Sequence, residues 1–494
     1  MTVVVQARGD FTLEAFRRVS VDREDVVIGP QALRVMNAAR AGFEDLLRVN
    51  RSEFIYGVTT RPGVEVGTAI PPEEQRDYAR RFRGAARGFG RDALDERVVR
   101  GIVFARLADF VGGHAKVRPE LAQSVAALLN GPLPRVPLDG QGGAGEILPL
   151  MHVMAAVDAD LREGEGMALL NGSPCATALA ADVALHAGHR LGLAEAIFAL
   201  SVEAYRAPLD AYDEALDDLW GDEAERAVLR HVRGHLSGAV TSGRLAHQAP
   251  VSYRILPQIL GQAQRAVRAV VHAATAALGS VTENPVYVPA DDRHPAGRVL
   301  SNGGFHNGAA APAIDWLTAA WADLALVAQR QVIAMHSPGS GLPHLLAPPG
   351  FIGGASGGAT NLFGWVATGL VEEARALAAP TLLPATINDT QNDIASTAFG
   401  AYRSQHRAAE CLDSLLAIVA LVSSQSLFVT GRDPAPPLAG LLAGIRSVFP
   451  PVETDRPDQG EQAGELAGIL GRAALTGRLD FPGLPVEPGP PASR

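Results

Sequence analysis

The sequence predicts a mainly α-helical fold, and three observations carry that prediction. Aromatic residues make up only 5% of the 494 residues while alanine and glycine abound, a mixture that suits helices at close approach better than the broad faces of a β-sandwich. Leu33, Met36, Phe43 and Leu46 recur at helical spacing, as on one apolar helix face. The longest apolar run, Leu412 to Val429, is interrupted by Asp413 and by Ser414, Ser423, Ser424 and Ser426, which fits a buried bundle helix better than a membrane span. An apolar content of 47% is ample for a shared core.

In chain order, Thr12 is placed to start a first helix. Tyr56 to Gly63 forms a loop with Gly57, Pro62 and Gly63. Residues 73 to 130 read as helical through Gln75–Arg87 and Asp95–Val111. Leu150 to Trp220 is alanine-rich and helical in pattern, Trp316 to Ala379 reads as long helices, and residues 400 to 480 continue as helices. The expected organisation is a mainly helical domain over 1–200, a long-helix bundle with C-terminal helices over 201–480, and a disordered Pro/Gly-rich tail over 481–494.

Composition also excludes chemistries. With 43 basic and 53 acidic residues the net charge is −10, and no concentrated basic patch offers itself to nucleic acid; Arg76 to Arg91 mixes arginines with acids and reads as a solvated face. Cys175 and Cys411 are the two cysteines, too few for a disulfide framework. The first ten residues hold too short an apolar run for a secretory signal, so a reducing, cytoplasmic setting with no membrane partner is expected. Lys116 is the one lysine, and nothing around it marks a Schiff-base site. His231 with His235, and His186 with His189, have helical ligand spacing, but no third ligand accompanies either pair, so no metal is expected.

The stretch around which the chain is organised is Asp139 to Leu150, a small-residue turn opening into an apolar helix. Gly140-x-Gly142-x-x-Gly145 matches a dinucleotide fingerprint, which needs a preceding buried strand. Pro132-Leu-Pro-Arg-Val-Pro137 precedes it instead. With Glu165 to Ser173 following, the stretch resembles the signature of the aromatic amino acid ammonia-lyases, the histidine, phenylalanine and tyrosine lyases. In that family an Ala-Ser-Gly tripeptide followed by Asp-Leu becomes the electrophile 4-methylideneimidazol-5-one. Here the aligned residues are Gly143, Ala144 and Gly145, followed by Glu146 and Ile147. Alanine has no β-hydroxyl to lose as water, so this loop is expected to carry no such cofactor.

The resemblance covers about residues 10 to 430 and implies an ammonia-lyase-like fold of the fumarase/aspartase type with a long central helical bundle. It also implies a homotetramer whose active sites draw helices from several subunits. It assigns Tyr56, in Tyr56-Gly-Val-Thr-Thr-Arg-Pro-Gly63, as the lid base, although Arg61-Pro62 stands where the family has Gly-Phe. A packing tyrosine is the plain alternative. Asn171 falls where an asparagine lies near cofactor and substrate carboxylate, or is a turn former before Gly172. Gln248 and Arg254 match the glutamine and the carboxylate-binding arginine of Gln-Asp-x-Tyr-Ser-x-Arg, with Val251 in the tyrosine slot; a structural ion pair is the alternative for Arg254. Glu283-Asn284-Pro285 and Ser301 to Gly308 match two further loops, and put Phe305 near the prosthetic group. Asn392 replaces a glutamate, and Arg80 to Gly88 lacks the family histidine.

Two expectations follow. In the first, the chain is a small-molecule enzyme of this lyase fold, without the electrophile. It uses Tyr56 for proton transfer, conjugate addition, cyclisation or elimination on an amino-acid-like or arylacrylate-like acid or conjugate, in specialised biosynthesis. In the second, it is an inactive relative that binds a small molecule or a partner.

Overall fold

The structure is a computed structural model and describes residues 2–49, 54–82, 85–352, 358–386, 391–483 and 487–488. It is predominantly helical. Among the described residues the sheets are three two-stranded pairs, including a parallel pair of Thr2–Val5 with Asp25–Ile28. Residues 132–135 form no strand, and Pro137 makes only an isolated bridge to Ala93; the strand that a dinucleotide fold requires is therefore missing.

The chain divides into two compact units, each built from three segments. Unit 1 comprises residues 1–183, 270–313 and 381–403, and unit 2 comprises 184–269, 314–380 and 404–494. The boundary expected near residue 200 falls inside the helix Pro174–Tyr205. In unit 1 Thr12 caps the helix Leu13–Ser20 by accepting the Ala15 N–H at 3.1 Å, which satisfies one of the unpaired donors of its first turn. The helix Pro30–Val49 buries Met36, Phe43 and Leu46, and Phe43 packs edge-on against Tyr287 at 5.8 Å. The helix Glu96–Val111 is buried along nearly all its length.

Two helical expectations need correction. The helix expected over Gln75–Arg87 is Gln75–Arg81; residues 85–90 are irregular, because Gly88 and Gly90 offer little helix propensity, and residues 83–84 lie outside the described residues. The run from Leu150 to Trp220 is split into Ile147–Ala156, Glu165–Leu170, Pro174–Tyr205 and Leu216–Leu219. The breaks after Ala156 and Leu170 create the turns that carry the site.

Unit 2 is a bundle of long alanine-rich helices. Arg190 and Asp413 form a buried two-pronged pair at 2.8 and 2.9 Å, and Gln425 bonds the backbones of Leu346 and Val452 at 2.8 to 3.1 Å. Three helical stretches, Glu165–Tyr205, Ala310–His336 and Ala398–Thr430, are apolar and long enough to cross a membrane. Their apolar windows are 94%, 67% and 83% buried within the fold, which accounts for their composition as core helices. Of the tail, Glu487–Pro488 pairs with Arg478–Leu479; residues 484–486 and 489–494 lie outside the described residues.

Candidate active site

Unit 1 builds its site around the small-residue loop. Gly143 (φ 137°) and Gly145 (φ 66°) take conformations that a side chain would strain, and Glu146 itself sits in the left-handed region (φ 56°) before the helix Ile147–Ala156 begins. Three contacts hold this shape. The Gly143 carbonyl accepts the Ser396 N–H at 3.0 Å. A Cβ on Gly145 would collide with Asn171 Oδ1 and meet Phe305 Cδ2 at 3.8 Å. The buried Glu146 carboxylate accepts the N–H groups of Cys175 and Ala176 at 2.6 and 2.7 Å, in the first turn of Pro174–Tyr205, where the helix dipole favours negative charge. Burial nevertheless pushes the Glu146 carboxyl up to about 7, opposed by those two N–H bonds.

Asn171 is the turn former that its place before Gly172 allowed, and it lies against the loop. It ends the helix Glu165–Leu170, and its Nδ2 donates to the Asn284 carbonyl at 3.0 Å, which turns its oxygen towards the loop. Asn284 Oδ1 in turn accepts the Asn302 N–H at 2.8 Å, and Asn302 Oδ1 accepts the Gly304 N–H at 2.7 Å. This chain of bonds delivers the half-buried Phe305 to Gly145.

Beneath the Asn171–Ser173 turn lies a buried ionic network. Lys116 Nζ donates to the Pro285 carbonyl at 2.6 Å and to Glu283 Oε1 at 3.2 Å, and Arg106 Nη1 lies 3.3 Å from Asp109 and 3.6 Å from Glu283. Asp109 accepts the Thr282 N–H and hydroxyl, and the Thr282 hydroxyl accepts the Ser173 N–H. Burial pushes Glu283 up and Lys116 down, and each opposes the shift of the other. The lysine that its neighbours in sequence left unremarkable is thus a structural cation.

Tyr56 is half-buried, and its hydroxyl accepts the Gly63 N–H at 3.0 Å. The Gln391 side chain bonds the same hydroxyl and also donates to the Gly63 carbonyl. Burial raises the Tyr56 phenol, against the lowering effect of these two donors. A bridge between Thr60 and Ala69 closes the loop, and Arg61 turns outward to Glu65 at 2.9 Å. The backbone oxygen of Asn392 accepts the Thr386 hydroxyl, and its side chain is half-exposed.

Unit 1 therefore contains Tyr56, Gly143, Ala144, Gly145, Asn171, Phe305 and Asn392, whereas Gln248 and Arg254 belong to unit 2. Both are exposed. Arg254 Nε donates to the Ala249 carbonyl at 2.9 Å, and no carboxylate pairs with it among the described residues. Reading the sequence passed over Glu146 and Gln391. An acid immediately after the loop, ahead of an apolar run, was the available signal for the first. Among the described residues no group of three or more His, Cys, Asp or Glu side chains gathers to hold a metal.

Comparison with known proteins agrees with this architecture. Histidine ammonia-lyase of Geobacillus thermodenitrificans (strain NG80-2) is 29% identical over 492 residues, covering 92% of this chain and 94% of its own. The crystal structure of tyrosine aminomutase from Streptomyces globisporus superposes with a TM-score of 0.81 at 23% identity, over 96% of this chain and 98% of that one. The ergothioneine degrading enzyme ergothionase from Treponema denticola gives 0.85 at 18% identity, over 96% and 100%. The sequence profile of the family described as Aromatic amino acid lyase matches residues 11–160 and 156–447, and the chain belongs to that family.

Proposed function

We propose that the chain is a lyase-fold enzyme that works without the methylidene electrophile, with Tyr56 as base on an amino-acid-like or arylacrylate-like acid or its conjugate. One observation carries this reading. The tripeptide loop keeps its compressed geometry against Asn171 and Phe305, while its central residue is Ala144. Forming the electrophile would require a β-oxygen to leave the central residue as water. Ala144 has none, so the residues present do not fit the group, and no step is routed through it.

Without that electrophile the substrate must supply the activation, either as a thioester-like group that acidifies the neighbouring C–H or as a good leaving group. Tyr56, as phenolate, takes the proton; the electron pair of the broken C–H bond forms the new double bond as the β-substituent leaves with its bonding pair, or waits on the acyl oxygen for return of a proton. Asn171 and Gln248 position the substrate, Arg254 clamps its carboxylate, and Phe305 and Asn392 border its body. Membership of the family supports lyase-like chemistry on a small amino acid or its relative. The reading includes a homotetramer in a reducing, cytoplasmic compartment, in which Gln248 and Arg254 meet substrate.

The test is mass spectrometry after incubation in deuterated water with aromatic amino acids, arylacrylates and their thioesters, wild type beside Tyr56→Phe. Deuterium uptake or product that depends on Tyr56 is the expected result. Equal turnover by Tyr56→Phe would remove the tyrosine from the mechanism. One observation favours a second reading, a non-catalytic binder: burial raises the Tyr56 phenol and so favours its neutral form over the phenolate that a base needs. Binding of the same acids with no exchange or product in any sample would select it.

A further inference from the structure

In unit 1 two short stretches, residues 384–386 and 391–396, pair as a ladder. Ala385 bridges Ile394, the Thr386 N–H donates to the Asp393 carbonyl at 3.0 Å, and the Ala395 N–H donates to the Pro384 carbonyl at 2.9 Å. One end of the second stretch reaches the lid loop and the other reaches the tripeptide loop. Gln391 Nε2 donates to the Gly63 carbonyl, and the same side chain bonds the Tyr56 hydroxyl. The Ser396 N–H holds the Gly143 carbonyl at 3.0 Å. Because the Gly63 N–H also donates to the Tyr56 hydroxyl, at 3.0 Å, the phenol oxygen, both backbone groups of Gly63 and one amide close a ring of hydrogen bonds. Asn392, which the resemblance set at the site, gives only its carbonyl among the described bonds, to the Thr386 hydroxyl. The amide at the base is that of Gln391.

We propose that Gln391 is a positioning residue for Tyr56: one side-chain amide holds the phenol oxygen and the far end of the lid loop together, and fixes where the base stands while the loop is closed. The inference rests on the reading of Tyr56 as base. An amide NH2 carries two N–H groups, enough for the Gly63 carbonyl and the phenol oxygen at once. A carboxylate at 391 would bring neither. Two N–H donors on one oxygen favour phenolate over phenol, which offsets in part the burial that raises Tyr56. Gln391 is exposed, so its bonds exchange with water at small net cost; the ring can open to admit substrate and close behind it. The other groups about the phenol are few. A Cβ on Gly57 would collide with Met167, of the helix Glu165–Leu170. Tyr78, of the helix Gln75–Arg81, lies within electrostatic reach of Tyr56, and the loop residues Arg61 and Glu65 act on Tyr78. Asp393, two residues past Gln391, is exposed.

The test places 3,5-difluorotyrosine at position 56 of the full chain and follows its fluorine signal with pH, with Gln391 kept or replaced. The fluorines acidify the phenol, so it ionises where the fold is stable. The midpoint moves up in Gln391→Ala, which removes a donor, and further up in Gln391→Glu, which sets a carboxylate beside the phenolate. It moves down in Gln391→Arg, which supplies a charged donor. At the midpoint pH of the Gln391 protein, the ratio of phenolate to phenol falls about tenfold in Gln391→Ala, the loss of one hydrogen bond to a charged group. A residue that only filled space would leave the three variants together. Gln391 is exposed, so its replacement leaves the core intact. Hydrogen exchange read by mass spectrometry gives a second measure: the peptide holding Gly63 takes up deuterium about tenfold faster in Gln391→Ala and in Tyr56→Phe, each of which opens the ring. Midpoints that do not fall in this order, or an unchanged Gly63 peptide in Gln391→Ala, overturn the inference, and Tyr56-dependent exchange on substrate would then leave the proposed function standing. The expected order together with full turnover by Tyr56→Phe would overturn the base and leave the placement of Tyr56 by Gln391 intact.

Discussion

Replacing Glu146 by glutamine should stabilise the protein at pH 8 and cost about 1 kcal/mol at pH 4.5. The carboxyl is buried and lacks a cation partner at salt-bridge distance among the described residues; its folded value is raised from 4.5 to about 7. Raised above its unfolded value, the group gives its full contribution below about 4.5 and loses it as pH climbs through about 7. The gap of about 2.5 pH units, at about 1.36 kcal/mol each, makes ionised Glu146 a liability of about 3 kcal/mol at pH 8. Glutamine cannot ionise, but its NH2 cannot accept the second of the Cys175 and Ala176 N–H groups, which costs about 1 kcal/mol at every pH and leaves the pH-dependent difference of about 3 kcal/mol intact. For a chain of this length an unfolding entropy near 1 kcal/mol/K converts that difference to about 3 °C. Scanning calorimetry of wild type and Glu146→Gln from pH 5 to pH 8 should show the melting temperature of the variant rising relative to wild type as pH climbs, and lying above it at pH 8. A variant that melts below wild type at pH 8 would refute the reasoning. It would mean that the Cys175 and Ala176 N–H groups and the dipole of their helix outweigh burial, so that the carboxylate is the preferred form.

Three other outcomes are expected. Gly145→Ala meets Asn171 Oδ1 and a positive φ together, and should cost roughly 1–3 kcal/mol and displace the loop, read as a lower melting temperature and weaker binding of aryl acids. Lys116→Met leaves the buried Glu283 with Arg106 alone, 3.6 Å away, and the Pro285 carbonyl without its donor, and should destabilise by about 3 kcal/mol; Lys116→Met with Glu283→Leu should recover part of that loss in the same denaturation assay. Arg403→Ala breaks an exposed pair with Asp139 and should change stability by under about 1 kcal/mol.

The fold was legible in local pattern and the site in short motifs, each as far as local information reaches. Thr12 was readable as a cap because its acceptor lies three residues on. Met36, Phe43 and Leu46 were readable because one helix face repeats every few residues. Asn171 was readable as a turn before Gly172, and that turn aims its oxygen at Gly145. The role of Glu146 was not legible, since its partners stand 29 and 30 residues away; nor was that of Lys116, whose partner Glu283 is 167 residues away. The interleaving of the two units escaped for the same reason, because it is written in long-range contacts rather than in composition. Local reading overextended the helix begun at Gln75, where weakly helical glycines outweighed the periodicity around them.

The burial of Lys116 has a consequence for the surface. With the sole lysine wholly enclosed, the exposed side-chain cations of the described chain are guanidinium and imidazole groups, and no side-chain ammonium reaches solvent. Reagents that seek primary amines, from acylating dyes to glutaraldehyde, find no lysine to modify while the fold is closed, and proteolysis after basic residues is confined to arginine. Appearance of Lys116 in an amine-labelling experiment would therefore report local opening of unit 1, which gives the molecule a single built-in probe of its own integrity.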